Sequence, residues 1–481
     1  MEALILGGLL GVPVLGFLGV LLAWHHPRIQ ASLTLLTSLA AGALAVALAS
    51  LPAGASLAVG GWPVPYGISL RADGLSQLMV LLTTFVFACA TAYHLGQTLE
   101  GGPGTQNGVY QLVFPLLLLA LTGLFLTADV FNFYVFFELV AVASYLLVSL
   151  GRHFPLEAAW KYSAQSVVGS ICLLAGASLL YRETGSLAMA EVAARLEGPA
   201  LWAAPFFLAA FLLKSAVFPF HFWQPDAHAA STTAGSMILA GLLIKVGLYG
   251  LFRFWPLLMG DTLRSLFLVI GAVSLGFGAI AAFRQVDAKR MLGYSSISQL
   301  GYVLLGLGWG TVGAIAAGLF FLVAHAVAKA LLFLATGAAA DRSGHTRLAA
   351  LAGLGPAGAG AAYLLAVLSL AGLPPTAGFV AKAALVGEGL AADGYAIAAW
   401  AALGSLMTLA YGVRAYHLIF LPGPAGTRPV DAPHGWGRTA MAALSVALVT
   451  LALWPQPLYD RCLASAAVLT RAADSWAGGI R

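Results

Sequence analysis

Four lysines lie within apolar stretches of the sequence that are long enough to cross a lipid bilayer. They are Lys214, Lys245, Lys329 and Lys382, and the whole chain has only six lysines. A lysine at the centre of a membrane helix costs about 2.5–3.5 kcal/mol of insertion free energy, so ionisable residues at this depth usually bind or move ions. A lysine near a helix end can instead extend its ammonium group to the membrane surface. That explanation fits Lys214 but not Lys245 or Lys329, which have long apolar flanks on both sides.

Glu138 is the only acidic residue well inside one of these apolar stretches, in the string NFYVFFELVAVASYLL. A hydrogen bond to Ser144 or Tyr145 would satisfy it locally. A cation from another helix is a better partner, because two opposite charges about 4 Å apart attract by about 4 kcal/mol at an effective dielectric constant of 20. Making and breaking such a pair would switch a lysine between holding and releasing a proton.

His325 precedes Lys329 by one helical turn in HAVAKALLF, so the two side chains share a helix face. Histidine titrates near neutral pH, which favours a proton relay over a hydrogen-bonded core residue. His221 and His228 flank Asp226 in HFWQPDAHAAS. This spacing permits a metal site, but we expect a solvated loop there and predict no metal.

Three serines in GYSSISQLGY leave two interpretations open. Ser295, Ser296 and Ser298 could line a hydrated half-channel or simply allow two helices to pack closely. The three cysteines are far apart in the sequence and lack metal-ligand spacing, so we expect no cofactor. Cys462 is expected in an exposed tail beyond the last membrane helix.

The composition predicts an all-α polytopic membrane protein. Of the 481 residues, 60% are apolar and 9% are charged, and the mean hydropathy is +0.92. Soluble domains carry about 25% charged residues. Apolar runs between polar segments predict about fourteen transmembrane helices, the first of which is expected to be retained rather than cleaved. The net charge of +5 therefore reflects the loops, and nucleic-acid binding is not expected.

Proline interrupts two of the predicted helices, in KSAVFPFHFW and in LAGLPPTAGFVAK. Proline removes a backbone donor and clashes with the preceding turn, so both helices should be broken. The breaks fall in corresponding places of two blocks, which suggests two inverted five-helix repeats around an ion path. Proline is also common in ordinary membrane helices. The predicted divisions are helices 1–3 in 1–108, the repeats in 109–254 and 263–420, and the last helix with a short tail in 439–481.

The string TADVFNFYVFFELVAVASYLLVSLGR resembles a signature of the antiporter-like membrane subunits shared by Mrp antiporters, respiratory complex I and membrane-bound hydrogenases. KSAVFPFHFWQPDAHAAS, LLIKVGLYG, DAKRMLGYSSISQLGY, HAVAKALLF and LAGLPPTAGFVAKAALV are similar to further motifs of that family, in the expected order. The resemblance covers about 110–420. DVFNFYVFFE is most similar to the D component of the Mrp-type Na+/H+ antiporters.

The resemblance implies a fourteen-helix fold and a proton path along the membrane midplane. By their motifs, Glu138 and Lys214 match the family's glutamate–lysine pair, Lys245 its central lysine, and Lys382 its terminal lysine. His325 and Lys329 match the relay helix. The expected protein is a Na+/H+ (or K+/H+) antiporter subunit that works beside other membrane subunits in the lipid bilayer of a prokaryotic inner membrane.

Two other functions stay open. A proton-pumping subunit of a complex I-like or hydrogenase-type enzyme would use the same fold, driven by redox chemistry in attached subunits. A scaffold without transport activity would use its buried charges only to organise an assembly, but that leaves the cost of four intramembrane lysines unexplained.

Overall fold

The structure, a computed structural model, describes residues 1–101, 108–151, 155–196, 200–258, 261–356, 358–423, 428–431 and 433–471. Nearly all regular structure in these residues is helical. The helices are, in chain order, α1 Glu2–Leu22, α2 Pro27–Ala49, α3 Gly74–Leu99, α4 Gly108–Leu126, α5 Val130–Ser149, α6 Pro155–Thr184, α7 Met189–Arg195, α8 Ala204–Ser215, α9 Trp223–Ala230, α10 Thr233–Ile238, α11 Ile244–Arg253, α12 Trp255–Leu258, α13 Asp261–Arg284, α14 Ala288–Trp309, α15 Val312–Ser343, α16 Ala359–Ala371, α17 Ala377–Ala391, α18 Tyr395–Phe420, α19 Gly435–Leu453 and α20 Gln456–Thr470.

Eleven helices in the described part of the chain are long and apolar enough to cross a membrane, counting α10 and α11 as one. The other three predicted spans correspond to α14, whose first turns are polar, and to the two interrupted helices. The predicted polytopic α-helical membrane fold is confirmed. The division into two inverted repeats stays a prediction. The described residues also contain a short antiparallel hairpin, β1 Ala55–Ala58 with β2 Ser69–Ala72, so the chain is not entirely α-helical.

Both proline-containing helices are interrupted as predicted. Helix α8 ends at Ser215, and α9 begins only at Trp223. Ala216, the first residue of this break, has a left-handed backbone with φ of 54°. The second break separates α16, which ends at Ala371, from α17, which begins at Ala377. Each break leaves helix-terminal backbone groups inside the protein, where side chains can bond to them.

Helix α15 forms the centre of the protein. Its 32 residues begin after Thr311, whose hydroxyl accepts the amide of Ala314 at 3.0 Å, and end before Gly344, whose φ is 74°. Its membrane-spanning window is entirely buried, as is that of the α10–α11 helix. Helices α14, α16, α17, α19 and α20 pack around α15. The polar side chains in the middle of α15, His325 and Lys329, are therefore enclosed by protein on all sides.

The predicted tail contains a helix that the sequence analysis missed. Helix α20 packs against α3 and α15, and Cys462 on it is buried. The expectation of an exposed Cys462 is therefore wrong. Asp460 and Arg461 lower the hydropathy of this segment below that of a membrane span, so the sequence predicts a tail there. Residues 472–481 of the predicted tail, like 102–107 of the first division, lie outside the described residues.

Candidate proton path

Lys245 and His325 form a buried pair at the centre of the protein. The Nζ of Lys245 lies 2.8 Å from Nδ1 of His325, and both side chains are fully buried. Lys245 follows a π-helical turn, Leu239–Leu243, and its Nζ also donates to the carbonyl of Ala240 in that turn. π-Turns within membrane helices are often found at functional sites. When Lys245 donates to Nδ1, the neutral imidazole carries its hydrogen on Nε2.

Lys329 lies one turn beyond His325 on α15, as predicted. Its Nζ donates to the carbonyl of Leu292 at 2.8 Å and to Oγ of Ser295 at 2.7 Å. The same Ser295 oxygen accepts the hydroxyl of Tyr411 at 2.9 Å. Ser295 therefore joins the lysine on α15 to a tyrosine on α18.

The two other serines of this segment donate to backbone carbonyls. Ser296 donates to the carbonyl of Leu292 in its own helix at 3.1 Å, and Ser298 donates to the carbonyl of Leu275 on α13 at 2.9 Å. Of the two interpretations left open, helix packing fits Ser298, which joins α14 to α13, while the half-channel interpretation of Ser295 stays a prediction.

Three side-chain contacts connect α14 with α18, and we call them the polar ladder. They join Ser295 to Tyr411 at 2.9 Å, Gln299 to Thr408 at 2.8 Å and Tyr302 to Ser405 at 3.1 Å. The three α14 residues recur at helical spacing and share one face. The ladder runs from Lys329 at one end toward Lys382 at the other.

Lys382 lies in α17, after the second helix break. Its Nζ donates to the carbonyl of Leu370 at 2.6 Å and to Oγ of Ser405 at 3.2 Å, and it lies 3.8 Å from the centre of the Tyr302 ring. Leu370 is in the last turn of α16, where free carbonyls and the helix dipole favour a cation. The break therefore creates the acceptor that holds this lysine.

Lys214 lies in the last turn of α8, before the first break. Its Nζ donates to the hydroxyl of Tyr162 at 3.0 Å and lies 5.4 Å from the centre of the Phe137 ring. The Tyr162 hydroxyl also lies 2.7 Å from Oγ of Ser144. This buried cluster is separate from the Lys245 cluster in the described contacts.

Glu138 and Lys214 do not form the direct ion pair that the sequence analysis favoured. Both residues are described, and no ion pair joins them within 4 Å. Glu138 is only half-buried, whereas Lys214 is buried. Ser144, the predicted local partner of Glu138, is bonded to Tyr162 instead. Neighbouring residues on α5 thus face different surroundings: Phe137 contacts the lysine, and Glu138 reaches the protein surface.

His221 and His228 are not in a solvated loop, which corrects that expectation. Both are buried beside the first break, and His228 lies on α9 with its ring 4.5 Å from that of Phe333. Nδ1 of His228 has no hydrogen-bond partner among the described residues. Asp226 turns away toward Lys161, at 2.9 Å, and Arg290. The three residues therefore do not converge on a metal, and the described residues contain no other cluster able to hold one.

A partly buried ion pair anchors α3 to α11 near the end of the membrane region. Asp73 accepts from the guanidinium of Arg253, which also bonds to Ser76 at 2.7 Å. Burial alone would raise the pKa of the Asp73 carboxyl, but the charge and hydrogen bonds of Arg253 outweigh burial and lower this pKa to about 2. Asp73 is thus held as a carboxylate.

Comparison with known proteins places the chain in a family. The family model for the membrane region of NADH:quinone oxidoreductase and Mrp antiporter proteins matches residues 127–408. The chain belongs to this family. Over 365 residues it is 35% identical to the D component of the Na+/H+ antiporter of Alkalihalophilus pseudofirmus, with 73% of each chain covered. It is also 34% identical over 390 residues to the N component of the NADH-quinone oxidoreductase of Desulforudis audaxviator, with 77% of each covered.

The fold is similar to that of a chain in the Mrp complex from Dietzia sp. DQ12-45-1b. The TM-score is 0.87, with 99% of both chains covered and 24% identity. With its membrane-spanning helices and the family match above, the chain is a multi-pass membrane protein of an antiporter family. All six predicted site residues lie within the matched range, which also contains every residue of the polar ladder except Tyr411.

The residues that the sequence analysis missed are uncharged hydrogen-bonding groups. They are Tyr162, Tyr302, Tyr411, Gln299, Ser405 and Thr408. Polar residues at helical spacing on α14 and α18 were the available signal. The pairing of those two faces depends on tertiary packing, which no spacing rule provides.

Proposed function

We propose that the chain is the proton-translocating subunit of a multisubunit monovalent cation/proton (Na+/H+) antiporter in a prokaryotic inner membrane. Protons would move through a midplane series of buried glutamate, lysine and histidine side chains. The hydrogen bond between Lys245 and His325 is the observation that carries the proposal. An amine and an imidazole in contact, away from water, can exchange a proton, and a scaffold has no need of such a pair.

Transfer begins in this pair. If Lys245 gives a proton to Nδ1 of His325, the ring becomes an imidazolium whose Nε2 hydrogen is available to the next group. Nε2 has no bonded partner among the described residues. Lys329 is one turn along the same helix face, so the two residues are neighbours for the next step.

Onward transfer uses the polar ladder. Hydroxyl groups can both donate and accept, so a proton leaving Lys329 can pass through Ser295 and Tyr411 by exchange of these roles. At the far end, Ser405 contacts both Tyr302 and Lys382. Gln299 does not titrate, and its role in this proposal is to hold Thr408 in position.

Lys214 and Glu138 would provide the other end of the path. Lys214 is held by Tyr162 beside a helix break, where a small movement would change its distance from Glu138. Because Glu138 reaches the surface of the subunit, it would exchange protons with a neighbouring membrane subunit. Na+ or K+ would be the exchanged cation, and we expect the chain to co-purify with other membrane subunits.

The test is cation-driven proton movement in everted membrane vesicles. Lys329→Ala should abolish transport while the complex still assembles. Lys161→Ala is the matched control, because Lys161 is about half exposed and pairs with Glu157 and Asp226 at the surface. Normal transport in Lys329→Ala would favour the scaffold function and reject the proposal.

A second candidate is a proton-pumping membrane subunit of a complex I-like or hydrogenase-type respiratory enzyme. The 34% identity to a component of an NADH-quinone oxidoreductase favours it. The chain would be a non-catalytic part of that enzyme. Mass spectrometry of the intact complex separates the two candidates: redox subunits would indicate the enzyme, and only small membrane subunits would indicate the antiporter.

A further inference from the structure

An apolar cavity lies between helices α3, α15, α19 and α20, away from the proton path. Its volume is about 480 Å³, and its walls include Leu78, Phe85, Val323 and Leu451. Small-molecule sites in proteins have volumes of about 300–1,000 Å³. The cavity is therefore large enough for a ligand, and its lining would suit a hydrocarbon chain.

A smaller, more polar cavity of about 280 Å³ adjoins the first one. The two share Leu78 and Arg461 in their walls. The polar cavity is also lined by Gln77 and Ser465. Ser465 is 7% exposed, and its hydroxyl oxygen has no hydrogen-bond partner among the described residues. A buried hydroxyl of this kind normally has a partner, which points to a polar ligand group.

Arg461 stands where the two cavities meet. Its guanidinium donates to the carbonyl of Ala49 at 3.3 Å, and it forms no ion pair with a described carboxylate. Asp73, which also lines the polar cavity, is bonded to Arg253. This exposed guanidinium therefore has no carboxylate partner in the described part of the chain, and it lies where the apolar cavity meets the more polar one. An arginine fork matches the oxygens of a phosphate group.

The positions of the two cavities along α3 correspond to the depths of a lipid headgroup and of its acyl chain in a bilayer. Ala49 is the last residue of α2 and Gly74 the first of α3, so Arg461 lies at the end of the membrane region. From Leu78 to Phe85 the cavity follows α3 for about two turns, or about 10 Å into the membrane. We propose that the double cavity binds one phospholipid, with its phosphate on Arg461 and one acyl chain along α3.

The bound chain would lie behind the relay helix. Val323 and Val327 line the apolar cavity, and both lie on the face of α15 opposite His325. An acyl chain there would fill the space on one side of α15 while the proton path occupies the other. The lipid would thus support the position of His325 without taking part in proton transfer.

The experiment measures phospholipid retained by the purified complex. The complex is washed in mild detergent, and native mass spectrometry counts the phospholipids that stay bound. Arg461→Gln removes the phosphate contact, and Ala447→Trp fills the apolar cavity, which Ala447 lines. Each variant should lower the retained phospholipid about tenfold. Arg461→Gln removes a charge-assisted contact with the phosphate, and Ala447→Trp removes the space for the acyl chain. Arg471→Gln is the control, because this exposed arginine follows the same helix and lines neither cavity.

Photo-crosslinking identifies the occupant directly. The complex is reconstituted into phosphatidylethanolamine and phosphatidylglycerol vesicles that contain a lipid with a photoreactive acyl chain. Label should appear on peptides from α3 and α19, and both cavity variants should lose it. Retention of phospholipid in both variants, or a photoreactive residue at position 451 that captures a neighbouring subunit instead of lipid, would overturn the proposal. Neither readout depends on transport, so the proposal can fail while the proposed function stands.

Discussion

Removing the hydroxyl of Ser295 should slow proton transport while leaving the fold intact. Ser295 accepts hydrogen bonds from Lys329 at 2.7 Å and from Tyr411 at 2.9 Å, and it is the described link between α15 and α18. In Ser295→Ala, Lys329 keeps its bond to the carbonyl of Leu292. The lysine is therefore not stranded, but its connection to the polar ladder is lost.

The size of the effect follows from the bond that is lost. A hydrogen bond to a charged group is worth about 1.5–3 kcal/mol, and each 1.36 kcal/mol changes a rate tenfold. If the bond is needed in the transfer step, transport should fall about 10- to 150-fold. The assay is cation-driven proton movement in vesicles that contain equal amounts of assembled complex.

The neighbouring serine provides the matched control. Ser296 donates only to a carbonyl of its own helix, so Ser296→Ala makes the same chemical change without breaking the ladder. Its transport should stay within about twofold of the wild-type rate, as expected for a change of a few tenths of a kcal/mol. Equal losses in both variants, or a normal rate in Ser295→Ala, would refute a proton route through Ser295.

Three further predictions concern other parts of the molecule. Glu138→Gln and Lys214→Ala should each abolish transport in vesicles. The double variant should transport little more slowly than either single variant, because the effects of residues that act as one unit do not add. Losses that multiply in the double variant would exclude a switchable pair. Asp73→Asn should destabilise the solubilised protein by about 2.5 kcal/mol at pH 7, the value that corresponds to the lowered pKa of Asp73. Melting curves should show that the wild type loses this advantage as pH falls from about 4 toward 2, because a carboxyl with a lowered pKa stabilises only while ionised. Cys462 should resist an impermeant maleimide from either side of the membrane and react after denaturation; labelling of the native protein would contradict its burial.

The membrane fold could be predicted because insertion energetics act on short stretches of sequence. Apolar runs of sufficient length identify spans, and proline within a run marks a break, so α8 and α16 end where KSAVFPFHFW and LAGLPPTAGFVAK suggested. The same rule fails for α20, because this helix is too polar to be recognised as a membrane span. Its helicity depends on packing against α3 and α15, and Asp460 and Arg461 make it look like a tail.

Site residues could be predicted from the sequence only where burial of the side chain in a membrane costs free energy in any context. Lys245, Lys329 and Lys382 stand out because a buried ammonium group needs a reason to be there. Ser295, Thr408 and Tyr411 cost little in any membrane helix, so only the packing of α14 against α18 identifies them. The polar residues around His228 predict a loop, whereas the fold buries the short helix that carries it.

The central claim is that Lys245 and His325 transfer a proton as one unit. Lys245→Met and His325→Gln, singly and together, test it in vesicles with the purified complex. If the 2.8 Å contact is the transfer step, each single variant should lose transport, and the double variant should be no slower than the worse single one. Losses that multiply in the double variant, or near-normal transport in His325→Gln, would contradict the account.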